Sequence, residues 1–355
     1  VDVQRPCDVV EDILRIYGYN NVEIPTSLKS SLTTKNACDV SQRLQNLVSE
    51  QLIGEGFNEI LNNSLTREAY YSALKTHAPE HLVHLLNPLS SDLNVMRQTL
   101  LFGGLESIAH NVNRKEGNLC FFEFGNCYVY DAEKRNAEKV LAPYSEELHL
   151  GLWLTGKRVM DSWAHANEDS SIYELKGYAM NVLFRLGVPL GGLLIKEGTN
   201  DIFSKSLSVE DRNGKVCLEL GLVSKALLVA CDVEQEVYYA DFNWSVLMKK
   251  LPKKEVSYSE LSKFPAVRRD LALLLDVSVP FAEVERVARA CEKKLLRKVE
   301  LFDVYEGDRL PEGKKSYAVA FTLSDETKTM NDKQTEAIMS KIIKQLQQQL
   351  GAELR

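Results

Sequence analysis

Several features are scarce in this 355-residue sequence. No apolar run approaches the roughly 20 residues that cross a bilayer as a helix, so we expect no membrane segment. The opening residues, VDVQRPCDVV, contain no basic stretch followed by an apolar one. They therefore predict no secretory signal.

Cysteines are few and scattered. Seven occur, at positions 7, 38, 120, 127, 217, 231 and 291, and no two have the spacing Cys-x-x-Cys. An odd number without paired spacing argues against a disulfide framework and against a zinc site. We therefore expect reduced thiols and a cytoplasmic location. The six histidines also lie outside any nucleophile motif, so serine or cysteine hydrolase chemistry has no support.

The composition is that of a globular protein, with 45% hydrophobic and 26% charged residues. Its length predicts two or three domains with cores of their own. The net charge of −7 is uneven, because residues 262–355 hold 17 Lys and Arg against 15 Asp and Glu, while the remainder holds 26 against 35. Local basic clusters in the C-terminal part could meet nucleic acid, although a solvated surface is the simpler interpretation of each cluster alone.

The order of periodic segments in residues 264–355 predicts a βαββαβ unit. FPAVRRDLALLLDV predicts a strand, and an apolar stripe at helical spacing follows it. RKVELFDVYEG and KSYAVAFTLS predict two strands joined by a loop rich in Gly, Asp and Pro. Thr329 or Asn331 can cap a long helix that ends at Gly351, and the last four residues suffice for an edge strand. This order gives a split βαβ sheet with both helices on one face.

The strand KSYAVAFTLS alternates large apolar residues with small ones. We expect the large residues to lie against the helices: Tyr317, Val319, Phe321 and Leu323. The small residues mark the face that we expect to stay open: Ser316, Ala318, Ala320 and Thr322. RNA-recognition modules use this architecture.

These segments resemble a known family. FPAVRRDLAL, LFDVYEG, GKKSYAVAFTL and the closing GAELR are similar, in the same order, to the ferredoxin-fold anticodon-binding domain that ends the β subunits of bacterial phenylalanyl-tRNA synthetases. The resemblance implies that residues 262–355 form such a domain. A βαββαβ fold alone would say little about function, because it hosts many activities.

Residues 31–255 resemble the synthetase-like module of the same family. The similar segments are NPLSSDLNVMRQTLL, FFEFGNCY, IYELKGYAMNVLFRLG and VYYADFNWSVL. The expected fold class is therefore α+β: a class II synthetase-like antiparallel sheet with helices, followed by a ferredoxin-like βαββαβ domain. Asp39 to Gly54 predicts an amphipathic helix, our candidate to face a partner subunit, and FNEILNNSL after it predicts a strand.

We expect no catalytic residue in this module. Class II chemistry needs arginines on the ATP phosphates and a Gly-rich strand beneath the adenine. The strand VYYADFNWSVLMKK has Phe242, Asn243 and Trp244 at that point and no arginine, which predicts a filled, inert pocket. Arg97 is predicted to form a structural ion pair or interface, and Glu123 to be a strand residue whose carboxylate meets a neighbour.

An acidic cluster opens the chain. Asp8, Glu11 and Asp12 share one face of a predicted helix, where acids ordinarily complement the helix dipole. The family resemblance implies another role, because residues 1–30 are similar to the end of a helical magnesium-binding domain. It implies that Asp2, Asp8, Glu11 and Asp12 ligate magnesium, and oxygen-only ligands suit that ion.

The resemblance covers essentially the whole chain and implies a function. The chain would be a non-catalytic portion of the family's β subunit, while the α subunit binds ATP and charges tRNA(Phe) with phenylalanine in an α2β2 assembly. The implied RNA-binding candidates are Arg268, Arg269, Arg297, Lys298, Tyr305 and Lys315. The alternatives are a stand-alone synthetase-like regulatory or tRNA-binding protein, and a ligase active by itself.

Overall fold

A computed structural model describes residues 2–27, 30, 37–189, 193–251, 258, 260–307 and 309–355. The chain divides into two compact units, Val1–Lys254 and Glu255–Arg355, called the N-terminal and C-terminal units below. The sequence favours two linkers between domains, at residues 26–36 and 249–263. Most of the first and about half of the second lie outside the described residues. No helix in the described part of the chain is long and apolar enough to span a membrane.

The N-terminal unit combines helices with a large sheet. Its helices are α1 (Pro6–Tyr17), α2 (Ala37–Gly54), α3 (Leu101–Val112), α4 (Ile172–Arg185), α5 (Lys225–Ala230) and α6 (Trp244–Met248). Its strands are β1 (Asn58–Glu59), β2 (Leu65–Thr66), β3 (Val83–His84), β4 (Val95–Met96), β5 (Leu119–Tyr130), β6 (Tyr144–Thr155), β7 (Leu194–Glu197), β8 (Phe203–Glu210), β9 (Val216–Val223) and β10 (Val237–Asn243). Short 3-10 helices lie at Tyr19–Asn21, Glu68–Tyr71, Pro79–His81, Ser91–Leu93 and Ala132–Lys134.

Seven of these strands form one sheet, in the order β1-β5-β6-β10-β9-β8-β7. The short β1 pairs in parallel with β5, and the other neighbours pair antiparallel. The strands β2, β4 and β3 form a small separate sheet. The predicted antiparallel sheet with helices is confirmed, and so is the predicted amphipathic helix, which is α2.

The predicted strand FNEILNNSL, in contrast, forms only two short pairings, β1 and β2. The asparagines between them explain the difference, because their side chains compete with strand hydrogen bonds. Asn63 Oδ1 accepts a hydrogen bond from the backbone N–H of Leu65 at 3.0 Å. Asn62 donates its side-chain amide to Glu123 at 2.7 Å. The backbone therefore turns where the sequence pattern predicts a continuous strand.

Helices and loops cover both faces of the seven-stranded sheet. Side chains at alternate positions of one strand point to opposite faces. On β6, Leu150, Leu152 and Leu154 pack with α2, α4 and α6 on one face. Trp153 points to the other face and packs with α3 and α5. The N-terminal sheet is thus buried on both sides.

Trp153 fills a slot that two glycines make possible. The indole is fully buried and lies 5.1 Å, centroid to centroid, from the ring of Tyr239. A Cβ at Gly104 of α3 would lie 2.0 Å from Trp153 Cε2, and one at Gly151 would lie 2.5 Å from Trp153 Cη2. The close approach of α3 to β6 therefore requires glycine at both positions.

The C-terminal unit has the predicted βαββαβ order. Its elements are β11 (Val267–Asp276), α7 (Phe281–Cys291), β12 (Leu296–Tyr305), β13 (Lys314–Leu323), α8 (Asp332–Leu350) and β14 (Glu353–Leu354). The sheet order is β12-β13-β11-β14, with every neighbouring pair antiparallel. Asn331 caps α8 by accepting a hydrogen bond from Gln334 N–H at 2.8 Å. Gly351 ends the helix in the left-handed conformation, at φ 61°.

Both helices of this unit lie on one face of the sheet. Val284, Val287 and Ala288 of α7 and Met339, Ile342 and Leu346 of α8 share a core with Val319, Phe321 and Leu323 of β13. The predicted ferredoxin-like domain is therefore confirmed. Among the described residues of this unit, no helix lies on the opposite face of the sheet.

The slot of Trp153 generates a stability prediction. Gly104→Ala forces a methyl group into the indole ring, and overpacking of this kind costs about 1–3 kcal/mol of unfolding free energy. Gly177→Ala in α4 is the matched control, because no heavy atom lies within 4 Å of the added Cβ. Replacing a helical glycine by alanine in open space is neutral or stabilises by up to about 1 kcal/mol. Urea unfolding measures both, and equal stabilities of the two variants would contradict the packing of α3 on Trp153.

Candidate nucleic-acid interface

The face of the C-terminal sheet that lies away from α7 and α8, here called the open face, is defined by strand register. Residues directly opposite each other in neighbouring strands point to the same face. Arg268 of β11 and Lys298 of β12 both pair with Thr322 of β13, one of the residues predicted for this face. Tyr305 pairs with Ser316 on the same side. Three of the six predicted RNA-binding residues thus lie on the open face.

Two arginines of the open face contact aromatic rings across the small residues of β13. The Arg268 guanidinium lies 5.2 Å from the centroid of Phe302. The Arg355 guanidinium lies 5.9 Å from the centroid of Tyr305. Arg268 is on β11 and Arg355 follows β14, and both side chains reach across β13 to a ring on β12. At its centre β13 has Ala318 and Ala320. Small side chains there leave the room that these two arginines occupy.

A bulge in β12 decides which side chains at the end of this strand reach the open face. The pairing of β12 with β13 shifts between Leu301 and Asp303, so that Phe302 is the extra residue of a bulge. Without this shift, strict alternation from Leu301 would turn Tyr305 towards the helices. The bulge therefore brings Phe302, 54% exposed, and Tyr305 to the same face three residues apart.

Carboxylates balance the cations of the open face. Arg268 Nε lies 2.8 Å from Asp270 Oδ1, and Lys298 Nζ lies 3.8 Å from Glu300 Oε1. All four side chains are largely exposed, so each pair contributes little to stability. The centre of the open face is consequently close to neutral, with aromatic rings as its distinguishing feature.

The other three candidates lie elsewhere. Arg269 pairs with Phe321 on the helix side, and its guanidinium is 3.1 Å from Asp332 at the start of α8. Arg297 is the extra residue at a second shift of β12 and lies 2.8 Å from Glu326.

Lys315 differs most from the expectation. It is only 6% exposed, pairs with Leu275 on the helix side and donates its ammonium to Val277 O at 2.8 Å. Because this ammonium is buried and bonded to the backbone, Lys315 does not lie on the RNA-facing surface that the sequence analysis expected.

Sequence reasoning missed two open-face residues, Phe302 and Arg355. Alternation from Val299 and Leu301 would have placed Phe302 opposite the core face, so a signal for it existed. Arg355 follows β14, and its backbone N–H donates to Ala272 O at 3.0 Å. No local pattern could have paired this terminal residue with Tyr305, because the contact depends on the order of strands in the sheet.

The carboxylates predicted to bind magnesium are arranged differently. Among the residues that the structure describes, no group of three or more His, Cys, Asp or Glu side chains is placed to hold a metal. Asp8 Oδ2 instead accepts hydrogen bonds from the backbone N–H groups of Gln4 and Arg5, at 3.0 and 2.8 Å. These bonds lower the pKa of Asp8.

Asp8 thus caps α1, which is the simpler of the two roles weighed for the acids of this helix. Asp12 lies 3.5 Å from Arg15 of the same helix. Oδ2 of Asp8 already accepts two backbone hydrogen bonds, and Asp2, Asp8, Glu11 and Asp12 do not form a metal-holding group among the described residues. Their assignment to magnesium stays a prediction.

Arg97 and Glu123 form a buried ion pair with each other. This pair agrees with the two separate expectations, a structural ion pair or interface for Arg97 and a neighbour for the carboxylate of Glu123. Arg97 is 4% exposed and Glu123 is fully buried, with 2.7 Å between Nη1 and Oε1. Arg97 Nε also donates to Asn126 O at 3.0 Å, and Asn62 donates its side-chain amide to Glu123. Gly125 leaves space for the guanidinium, since a Cβ there would lie 2.1 Å from Arg97 Nη2. Both charges are satisfied within the fold, as a buried pair requires.

Large side chains occupy the space beside the end of β10. Phe242 and Trp244 are buried in the core shared with α2 and α4. Trp244 also makes an edge-to-face contact with Phe124, with ring centroids 4.9 Å apart. The bulky residues noted in the sequence at this point therefore occupy the interior and pack against the sheet.

Polar groups also surround His149 of β6. Its Nδ1 lies 2.7 Å from Asp241 Oδ1, and its Nε2 lies 3.9 Å from Glu147 Oε2. Burial alone would lower the pKa of His149, but Asp241 and Glu147 raise it to about 10. His149 and a hydrogen bond from Asn243 in turn lower the pKa of Glu147 to about 2. Burial lowers the pKa of the nearby His77.

Family models match both units. Residues 262–355 match the ferredoxin-fold anticodon binding domain, which defines the C-terminal unit as a member of a class of nucleic-acid-reading modules. Residues 24–244 match the phenylalanyl tRNA synthetase beta chain CLM domain. The chain therefore belongs to the phenylalanyl-tRNA synthetase β-chain family, as the sequence predicted.

Curated relatives agree with this assignment. A phenylalanine–tRNA ligase beta subunit from Bacteroides fragilis is 64% identical over 355 residues, and one from Porphyromonas gingivalis is 52% identical over 354 residues. One from Clostridium tetani is 31% identical over 358 residues. Each match covers 100% of this chain, and the chain spans only 42–43% of the length of these relatives.

Among solved structures, a pyrrolysyl-tRNA synthetase from Desulfitobacterium hafniense overlaps 58% of this chain and 67% of its own, with a TM-score of 0.43 and 14% identity. This likeness is too weak to support a conclusion.

The His149 cluster generates a pH prediction. A histidine whose pKa is raised from 6.5 to about 10 on folding contributes stability that is fully present below pH 6.5 and is lost as pH rises through 10. The unfolding free energy of the parent should therefore exceed that of His149→Gln most at pH 6.5, and this difference should shrink steadily towards pH 10. Urea unfolding across that range measures it. A constant difference would contradict the assignment of a charged His149 between two carboxylates.

Proposed function

We propose that this chain is the C-terminal, non-catalytic portion of a phenylalanine–tRNA ligase β subunit. In this proposal it supports the catalytic α subunit and binds the anticodon region of tRNA(Phe) while the complex charges that tRNA in an ATP-dependent reaction. The observation that carries the RNA-binding part is the open face, where Phe302 and Tyr305 lie exposed beside cations.

Unpaired bases are the ligands that such a face suits. Single-stranded loops expose bases that stack on aromatic side chains and on arginine planes. Phe302 and Tyr305 supply the rings, and Arg268 and Arg355 already lie against them in the free chain. A base can replace or extend each of these cation–π contacts, since every base presents a π-face. An anticodon loop is a source of such unpaired bases.

The near-neutral centre of the open face shapes the expected binding. Asp270 and Glu300 compete with phosphates for Arg268 and Lys298. Sequence-independent attraction to any RNA backbone is therefore weak at this point, and stacking carries a larger share of the affinity. Arg268, Lys298 and Tyr305 remain our candidates on the face, with Phe302 and Arg355 added. Arg269, which lies on the helix side, and Arg297 would contact RNA only outside the open face.

The N-terminal unit suits a supporting role. Its polar groups at Arg97 and Glu123 bind each other, and the residues Trp153, Phe242 and Trp244 fill its interior. Apolar side chains stand exposed on α2 and α4, among them Ile53 and Phe184, the latter 77% exposed. Exposed apolar surface of this kind marks protein interfaces. We assign this surface to contact with the α subunit of an α2β2 assembly.

Two further parts of the proposal follow from the family. ATP would be bound by the α subunit, and the assembly would act in the cytoplasm. A stand-alone tRNA-binding or regulatory protein is the alternative, and it would require tight binding of tRNA by this chain alone.

The proposal predicts the effect of removing one ring. Phe302→Ala should weaken binding of an RNA hairpin carrying the tRNA(Phe) anticodon loop by about 1–3 kcal/mol, which is roughly 5- to 150-fold, because one stacked base loses its support. Fluorescence anisotropy with the labelled hairpin measures the dissociation constant.

Phe184→Ala is the matched control, since it also removes an exposed phenylalanine and should leave RNA binding unchanged. The salt dependence should be the same for Phe302→Ala and the parent, because no charge is removed. Equal affinities of Phe302→Ala and the parent would contradict the assignment of the open face as the RNA platform.

A further inference from the structure

Two loops meet at one end of the C-terminal sheet. The loop between α7 and β12 carries Lys293 and Lys294, and the loop between β13 and α8 carries Lys328. The backbone N–H of Ser324 donates to Leu295 O at 2.9 Å, which ties the two loops together. All three lysines are exposed, and they belong to the same end of the sheet as the start of β12. We call this set the lysine rim.

The carboxylates beside the rim are already committed to other partners. Glu292 Oε1 accepts hydrogen bonds from the backbone N–H groups of Lys294 and Leu295, at 2.9 and 3.0 Å. Asp325 Oδ1 accepts from Thr327, at 2.8 Å from its N–H and 2.7 Å from its hydroxyl. Within the described chain, none of the three lysines forms an ion pair, whereas Arg297 beside them pairs with Glu326.

The electrostatics of Asp325 agree with this arrangement. Hydrogen bonds from Thr327 lower the pKa of Asp325, and the charges of Lys328 and Lys294 lower it further. Lysines from both loops therefore act on the same carboxylate, whose Oδ1 is hydrogen-bonded within the turn. The ammonium groups keep their hydrogen-bonding capacity for an outside anion.

The rim differs in this respect from the centre of the open face. There, Arg268 and Lys298 each have a carboxylate partner on the same strand. The three rim lysines, in contrast, lie near Glu292 and Asp325 but are not within ion-pair distance of any carboxylate in the described chain. Their ammonium groups can therefore contact an anionic ligand without first breaking an ion pair.

We propose that Lys293, Lys294 and Lys328 hold phosphate groups of the RNA backbone where the RNA leaves the open face. This inference rests on the proposed function and assigns it a second contact surface. Lysine suits this role, because its compact charge and three donors bind phosphate without reading a base. The rim would fix the position of the RNA, while the rings of β12 contact its bases.

The rim and the rings would contact different nucleotides. A strand rises by roughly 3.3 Å per residue, and the two bulges shorten β12, so Phe302 lies about 15 Å along the sheet from Leu296. A ligand that touches both must therefore extend over several nucleotides. This separation makes the two contributions measurable independently.

The test compares two triple variants of the full 355-residue chain with equal changes in charge. One carries Lys293→Gln, Lys294→Gln and Lys328→Gln. The control carries Lys205→Gln, Lys225→Gln and Lys344→Gln, which removes three exposed lysines on β8, α5 and α8. The probe is the labelled anticodon hairpin, titrated at salt concentrations from about 50 to about 200 mM, a range over which released counterions change affinity strongly. Circular dichroism melts confirm that both variants fold.

Loss of three phosphate contacts should reduce the slope of log affinity against log salt by about 2 to 3. Over this fourfold range of salt, parent affinity should then fall about 16- to 64-fold more than that of the rim variant. The control should behave as the parent. If the rim variant keeps the parent's affinity and slope, the role of the lysine rim is wrong, while the proposed function stands. The same conclusion follows if the control variant loses as much affinity and slope as the rim variant. No hairpin binding by the parent would overturn both.

Discussion

A β-sheet has two faces, and the way each face is covered determines what the two units of this chain can do. The N-terminal sheet has helices on both sides, with α2, α4 and α6 on one face and α3 and α5 on the other. The C-terminal sheet has α7 and α8 on a single face. Burial of one face is enough to stabilise a four-stranded sheet with two helices. The other face is then free to present side chains to a ligand, and this freedom underlies the RNA-binding proposal.

Burial on both faces has the opposite consequence for the N-terminal unit. Interiors are close-packed, so large residues such as Trp153 leave no room for a ligand where they lie. Two pairs of charged groups inside the unit bind each other: Arg97 with Glu123, and His149 with Asp241. Removing one partner would leave a buried charge without compensation, which is strongly destabilising. These groups therefore stabilise the fold, and the unit contributes its outer surface to the proposed assembly.

The sequence predicted the C-terminal fold almost completely, because alternation in KSYAVAFTLS and a well-capped helix ending at Gly351 are strong local signals. It did not predict which cations reach the open face. Bulges in β12 change the parity of alternation after Leu301. Lys315, in contrast, has the same parity as Tyr317 and Val319, so the alternation of β13 already placed it on the helix side. In FNEILNNSL, hydrogen bonds of Asn62 and Asn63 overrode the strand pattern. The acids of α1 have the spacing expected of ligands, but spacing on a helix does not show that Asp8 binds backbone amides.

The division of labour between a catalytic α subunit and this non-catalytic chain is the central claim, and phenylalanine-dependent ATP–pyrophosphate exchange tests it most directly. The assay compares this chain alone with a complex of the α subunit and a complete β subunit under the same conditions. The account predicts exchange by the complex and none by the chain alone, because Arg97 is bound to Glu123 and the interior beside it is filled. Exchange by the chain alone would contradict the account.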